Sequence, residues 1–193
     1  MYHGLLRDTR LYVFLYRVDC EMADSARRAR CPVCGGPVHC ADYPRKPRGA
    51  ACQLGPEYDR RSSFCCSQLG CRKRVTPPSV RFLGRKVYLG AVIVLCAAMQ
   101  HGLQSGRTQQ LWELLGVSRQ TLVRWRTYWQ QTFVQTPFWK QARALLSPPV
   151  VEGEMPSSLL FRFAGDWMMK LVLMLQFVAP VTTESGGQKG GGF

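Results

Sequence analysis

The chain has 193 residues, an apolar fraction of 46%, nine cysteines and a formal net charge of +14. That length and composition suit one globular domain or two small ones. No membrane helix is expected: no stretch reaches the ~18 uninterrupted apolar residues that one needs. Residues 87–99 are too few, and Arg162, Asp166 and Lys170 interrupt 159–180.

Residues 5–30 are expected to be helical in two pieces. Leu11, Phe14, Leu15 and Val18 repeat at intervals of three and four. Asp19 is a candidate cap for the second piece, with Arg27, Arg28 and Arg30 near its end, where the helix dipole favours cations. Residues 31–81 are rich in glycine and proline and show few helical signals. A segment so broken builds little core alone and needs a staple. Residues 84–101 read as a buried helix, 107–115 and 118–133 as two further helices, and 138–146 as a fourth. Residues 147–157, with Pro148, Pro149, Gly153 and Pro156, read as a linker. Residues 158–178 read as an amphipathic helix, and the Gly-rich 185–193 as disordered.

The positive charge is concentrated. Residues 27–86 carry fourteen Lys or Arg against Asp42, Glu57 and Asp59; residues 105–145 carry six against Glu113. Such patches release counterions from nucleic acid, although charge also serves solubility.

Cys31-Pro32-Val33-Cys34-Gly35-Gly36 forms one cysteine knuckle, and Cys66-x4-Cys71 a second. Two such pairs about thirty residues apart suit a tetrahedral zinc ion. The expected ligands are Cys31, Cys34, Cys66 and Cys71. Cys65 competes with Cys66, which is preferred because a strand through Phe64-Cys65-Cys66 puts Phe64 and Cys66 on one face. His39 and Cys40 are reserve ligands; Cys20, Cys52 and Cys96 are expected to be non-ligands. Alternatives are plain buried thiols or a redox pair, but no strand-helix context of the thioredoxin kind surrounds the first knuckle. Four thiolates leave no position open for a reacting water, so the zinc is expected to be structural and the protein not an enzyme.

Leu111-Trp112-Glu113-Leu114-Leu115-Gly116-Val117-Ser118 then Arg119-Gln120-Thr121-Leu122 reads as helix, turn, helix. Gly116 suits a left-handed helix end and Ser118 an N-cap. Leu122, Trp125 and Trp129 share one face and are expected to pack on Leu111, Leu114 and Leu115. In this motif the second helix enters the major groove. Arg reads guanine and Gln reads adenine, so Arg119, Gln120 and Arg124 are the candidate base contacts. Arg126, Arg107, the loop residues Arg45, Lys46 and Arg48, and the run Arg72, Lys73, Arg74 are candidates for backbone contacts. A bundle that packs against protein is the competing reading.

The run Cys31-Pro-Val-Cys-Gly, then Phe64-Cys65-Cys66 to Cys71-Arg72-Lys73-Arg74-Val75-Thr76, resembles the zinc ribbon that precedes the DNA-binding part of bacterial insertion-sequence transposases. The helix-turn-helix resembles the homeodomain-like modules of those proteins. The resemblance spans residues 31–131. It departs from the pattern in a longer insert between the knuckles, and only Glu152, Glu154, Asp166 and Glu184 follow as acids, too few for a transposase nuclease core. The resemblance implies an accessory, regulatory or truncated mobile-element protein.

The expected architecture is therefore mainly α with a small β zinc ribbon. It comprises an N-terminal helical segment (1–30), the ribbon (31–82), a three-helix helix-turn-helix domain (84–146), a linker (147–157), an amphipathic helix (158–180) and a tail (181–193). The expected partner is double-stranded DNA, with a homodimer or a transposase or integrase as a further partner, no membrane, and a cytoplasmic, nucleoid location. The second class of reading is a zinc-scaffolded protein-interaction module using 159–178 as a partner helix. The third is a metal-dependent nuclease, for which no carboxylate cluster is visible.

Overall fold

The computed structural model describes residues 2–45, 49–50, 53–83, 87–99 and 106–184. Lys46, Arg48, Cys52, the side chains of Arg107 and Leu111, and the tail from residue 185 lie outside that description.

The chain opens with helix α1 (Tyr2–Arg7) and the long helix α2 (Thr9–Arg28). The break between them is set by Asp8, whose side chain accepts the Arg10 amide as N-cap. Asp19, expected as the cap, instead lies in mid-helix, 2% exposed, facing inward. A stripe of Leu11, Leu15, Val18 and Met22 points α2 at the main core, and Ala23 and Ala26 continue it into a second, small core. One helix thus serves two cores, so the expected boundary at residue 30 does not separate two packing units.

The described residues between 38 and 88 contribute short antiparallel strands. Strands β1 (Val38–Cys40), β4 (Phe64–Cys66) and β5 (Arg74–Val75) form a three-stranded sheet with β4 in the middle; Val38 pairs with Cys66 and Phe64 with Val75. Strands β2 (Tyr43–Pro44) and β3 (Arg60–Arg61) pair separately, as do β6 (Phe82–Leu83) and β7 (Val87–Tyr88).

Helix α3 (Leu89–Ala98) follows, with every residue from Leu89 to Ala97 buried. Its uninterrupted apolar sequence allows burial on all sides. Around it lie α1, α4 (Gly106–Leu115), α5 (Arg119–Thr127), α7 (Ser157–Leu160) and α8 (Trp167–Val178). The α4–α5 turn contains Gly116 at φ 61°, a left-handed residue that glycine adopts without penalty. Ser118 Oγ then accepts the Thr121 amide as N-cap of α5. The expected helix from 118 to 133 ends at Thr127 and continues as a π turn (Tyr128–Thr132) and a 3₁₀ turn (Phe133–Gln135). Helix α6 (Pro137–Ala142) is capped by Thr136.

Two expectations for the C-terminal part need correction. Residues 147–157 are docked rather than a free linker. Trp139 Nε1 donates to Glu152 Oε1 at 2.7 Å, Gln130 Nε2 to the Gly153 carbonyl at 2.7 Å, and Met155 is buried. The expected helix over 158–178 is also broken: α7 stops at Leu160, Gly165 turns the chain at φ 105°, and Asp166 caps α8 through the Met169 amide. Leu171, Val172, Met174, Leu175 and Val178 of α8 lie in the main core, so this stretch is a core element rather than a free partner helix. A last turn, α9 (Val181–Glu184), closes the described chain.

Asp19 locks these parts together. Its Oδ2 accepts Arg81 Nε at 2.8 Å and Ser79 Oγ at 2.7 Å, and its Oδ1 accepts the Val80 amide at 2.7 Å. Arg81 donates onward to the Tyr58 and Arg60 carbonyls at 2.8 and 3.0 Å. Every charged atom of the pair has a partner, as burial requires.

Candidate metal centre and nucleic-acid interface

Four thiols converge where the two knuckles meet. The Sγ atoms of Cys31, Cys34, Cys66 and Cys71 all lie within 4.8 Å of one another; Cys31 and Cys71 are 3.6 Å apart, Cys34 and Cys66 3.4 Å. Four sulfurs about 2.3 Å from a shared ion form a tetrahedron with edges of about 3.8 Å. The observed spacing is compatible with one tetrahedral metal ion.

Local backbone explains the convergence. The first knuckle is closed by hydrogen bonds from the Gly35 amide to the Cys31 carbonyl and from the Cys31 amide to the Gly36 carbonyl. The second is closed by the Cys71 and Arg72 amides, both donating to the Gln68 carbonyl. A Cβ on Gly36 would meet Gln68 Cγ at 2.6 Å and the Cys34 and Cys66 sulfurs at 3.2 and 3.4 Å, so only glycine lets the loop approach the pair. The Val33 and Cys34 amides point at the Cys31 sulfur and draw its thiol down to about 6. For Cys71 the Lys73 amide acts the same way, but burial and the neighbouring thiols prevail and push it up. Burial pushes the Cys66 thiol up as well.

The ambiguity at the third position disappears in β4. Phe64 and Cys66 face the small core with Ala23, Cys31 and Val38, whereas Cys65 points the other way, toward the Arg72 carbonyl at 3.5 Å. Neither His39, which pairs with Cys65 across the strands, nor Cys40 belongs to the cluster. Cys20 and Cys96 lie outside it too, and burial pushes the Cys96 thiol well up.

The basic candidates fall into two groups. On α5, Leu122 and Trp125 are buried, while Arg119, Gln120, Val123 and Arg124 are exposed and Arg126 is half-buried. The inner face leans on α3, and Leu115, one of the α4 residues expected beneath it, is buried in the same core. At the metal module, Arg72, Lys73 and Arg74 are exposed. Arg74 and Arg45 both lie over the Tyr43 ring, at 5.4 and 4.7 Å, and Arg45 Nη2 donates to Tyr43 Oη at 3.0 Å. Arg45 stands two residues from Tyr43 in sequence, whereas Arg74 reaches the ring from β5, a proximity that spacing in sequence does not signal. Two of the late acids have structural partners: Glu152 binds Trp139 and Arg143, and Asp166 caps α8.

No protein-family model, curated protein or solved structure matches the chain. Among the described residues no helix is long and apolar enough to cross a membrane.

Proposed function

We propose that this protein binds duplex DNA in a sequence-dependent manner, with zinc in the four-cysteine site as a structural ion. The observation that carries the reading is the division of α5. Its inner face is fixed by buried Leu122 and Trp125, and its N-terminal outer face presents Arg119, Gln120, Val123 and Arg124 to solvent. A helix entering the major groove needs this combination: a rigid mount and long hydrogen-bonding side chains near its start. Val123 adds an apolar surface that suits a thymine methyl group. In this reading α4, the Gly116–Ser118 turn and α5 act as a helix-turn-helix, and Arg126, Arg107, Arg45 and the Arg72–Arg74 run contact backbone.

Zinc is the ion proposed because four thiolates on short turns suit it, and a closed tetrahedral set is the mark of a structural site. The resemblance to transposase ribbons supports an accessory or regulatory role in a mobile element. Elemental analysis of the purified protein should find one zinc per chain. Changing Arg119, Gln120 and Arg124 together to Ala should abolish sequence preference in a protein that still folds. Unchanged preference would refute the assignment of α5.

A further inference from the structure

Among the described residues two non-glycine positions have positive φ, and both are arginines: Arg30 at 63° and Arg72 at 46°. Left-handed backbone crowds Cβ against the next carbonyl, a cost that glycine escapes. Glycine is the ordinary solution at both places. Arg30 stands just past the end of α2, where a left-handed residue closes a helix. Arg72 stands directly after the second cysteine of its knuckle; the corresponding residue of the first knuckle is Gly35, at φ 67°.

Among the described residues, neither guanidinium makes a hydrogen bond, an ion pair or a ring contact, and both residues are exposed. The helix dipole favours cations at the end of α2, which suits Arg27, Arg28 and the charge of Arg30, though not the left-handed backbone of Arg30. It does not account for Arg72, which ends no helix. Each arginine adjoins in sequence one member of the Cys31–Cys71 pair, whose sulfurs are 3.6 Å apart, so both chain segments meet at one edge of the thiol cluster. Lys73, exposed, continues the same edge. Strain at a glycine site, kept twice for the same unpartnered cation beside one edge of a thiol cluster, marks a binding feature.

We propose that Arg30 and Arg72 form a phosphate clamp on the Cys31–Cys71 edge of the metal centre, gripping the sugar-phosphate backbone of duplex DNA. This rests on the duplex-binding reading for its ligand, but it uses residues remote in sequence from α5. The clamp contributes affinity without sequence preference, and the metal fixes the spacing of its two arms.

The experiment compares the full chain with R30G/R72G and R30K/R72K. Binding of a random-sequence duplex is followed by fluorescence anisotropy over a range of salt. Thermal melting and zinc content are measured on the same samples. The glycine pair should keep its zinc and melt at the same or a higher temperature, because the strain is relieved. It should nevertheless bind every duplex more weakly, with the slope of log affinity against log salt lower by about 2. The lysine pair should keep the wild-type slope. An unchanged slope in R30G/R72G, with duplex binding intact, would overturn the clamp and leave the α5 reading standing. Loss of zinc or a lower melting temperature in R30G/R72G would overturn it too, by making the arginines structural. Sequence preference in a selected pool reports on α5 separately: loss of preference with the slope change intact would sink α5 and spare the clamp.

Discussion

The molecule holds two cores of very different size. Among the described residues the main core gathers thirty-five buried side chains around α3, whereas the core of the metal module has five: Ala23, Cys31, Val38, Phe64 and Cys66. Two of those five are members of the thiol cluster itself. The difference teaches what each region depends on. Burial stabilises the helical part at about 25 cal/mol per Å² of apolar surface. The module of short strands and turns has too little surface for that, and the zinc proposed for its four thiols would supply the missing cross-link.

Denying the module its proposed ion should expose this contrast most strongly. A tight chelator, or Cys66→Ser, is expected to melt the module around Cys31–Val75 while helical circular dichroism from the main core persists. Structural zinc is worth on the order of 10 kcal/mol to a small module, and hydrogen exchange of the β1, β4 and β5 amides measures its loss. A single cooperative unfolding of both regions would show instead that the module and the core are one unit. Asp19→Ala attacks the link between them. It strands Arg81 at 2% exposure without its carboxylate, and should cost about 3–5 kcal/mol in a denaturant titration.

Smaller effects sharpen the contrast. Gly116→Ala places a Cβ on a left-handed residue at φ 61° and should cost about 1–2 kcal/mol, by thermal melting of the helical part alone. Arg119→Ala/Gln120→Ala/Arg124→Ala should change stability by under about 0.5 kcal/mol per site, since all three are exposed. Its effect should appear in DNA binding instead. Cys65→Ser should be almost silent for zinc content, because Cys65 faces away from the other thiols.

Much of this was legible from residue spacing. The alternation through Phe64-Cys65-Cys66 points to Cys66 as the residue that joins the thiol cluster, and the Gly116–Ser118 turn with its cap is as local as its motif suggests. What spacing could not carry was tertiary. Asp19 looks like a cap because acids favour helix starts, yet its partner is Arg81, sixty-two residues away. Residues 147–157 look like a linker because proline and glycine dominate, yet Glu152 and Gly153 are held by side chains from the preceding helical region. The apolar run of 159–178 could not reveal that Gly165 would bend it. Arg30 and Arg72 carry no sequence signal of strain at all; only their dihedral angles do.

The central claim is that α5 reads base edges. Selection from a random duplex pool, run in parallel with the wild-type protein and the Arg119/Gln120/Arg124 triple-alanine variant, tests it most directly. The account predicts an enriched motif with the wild-type protein and none with the variant, although the variant still binds DNA in a salt-dependent way. No motif with the wild-type protein, or the same motif with both, would contradict it.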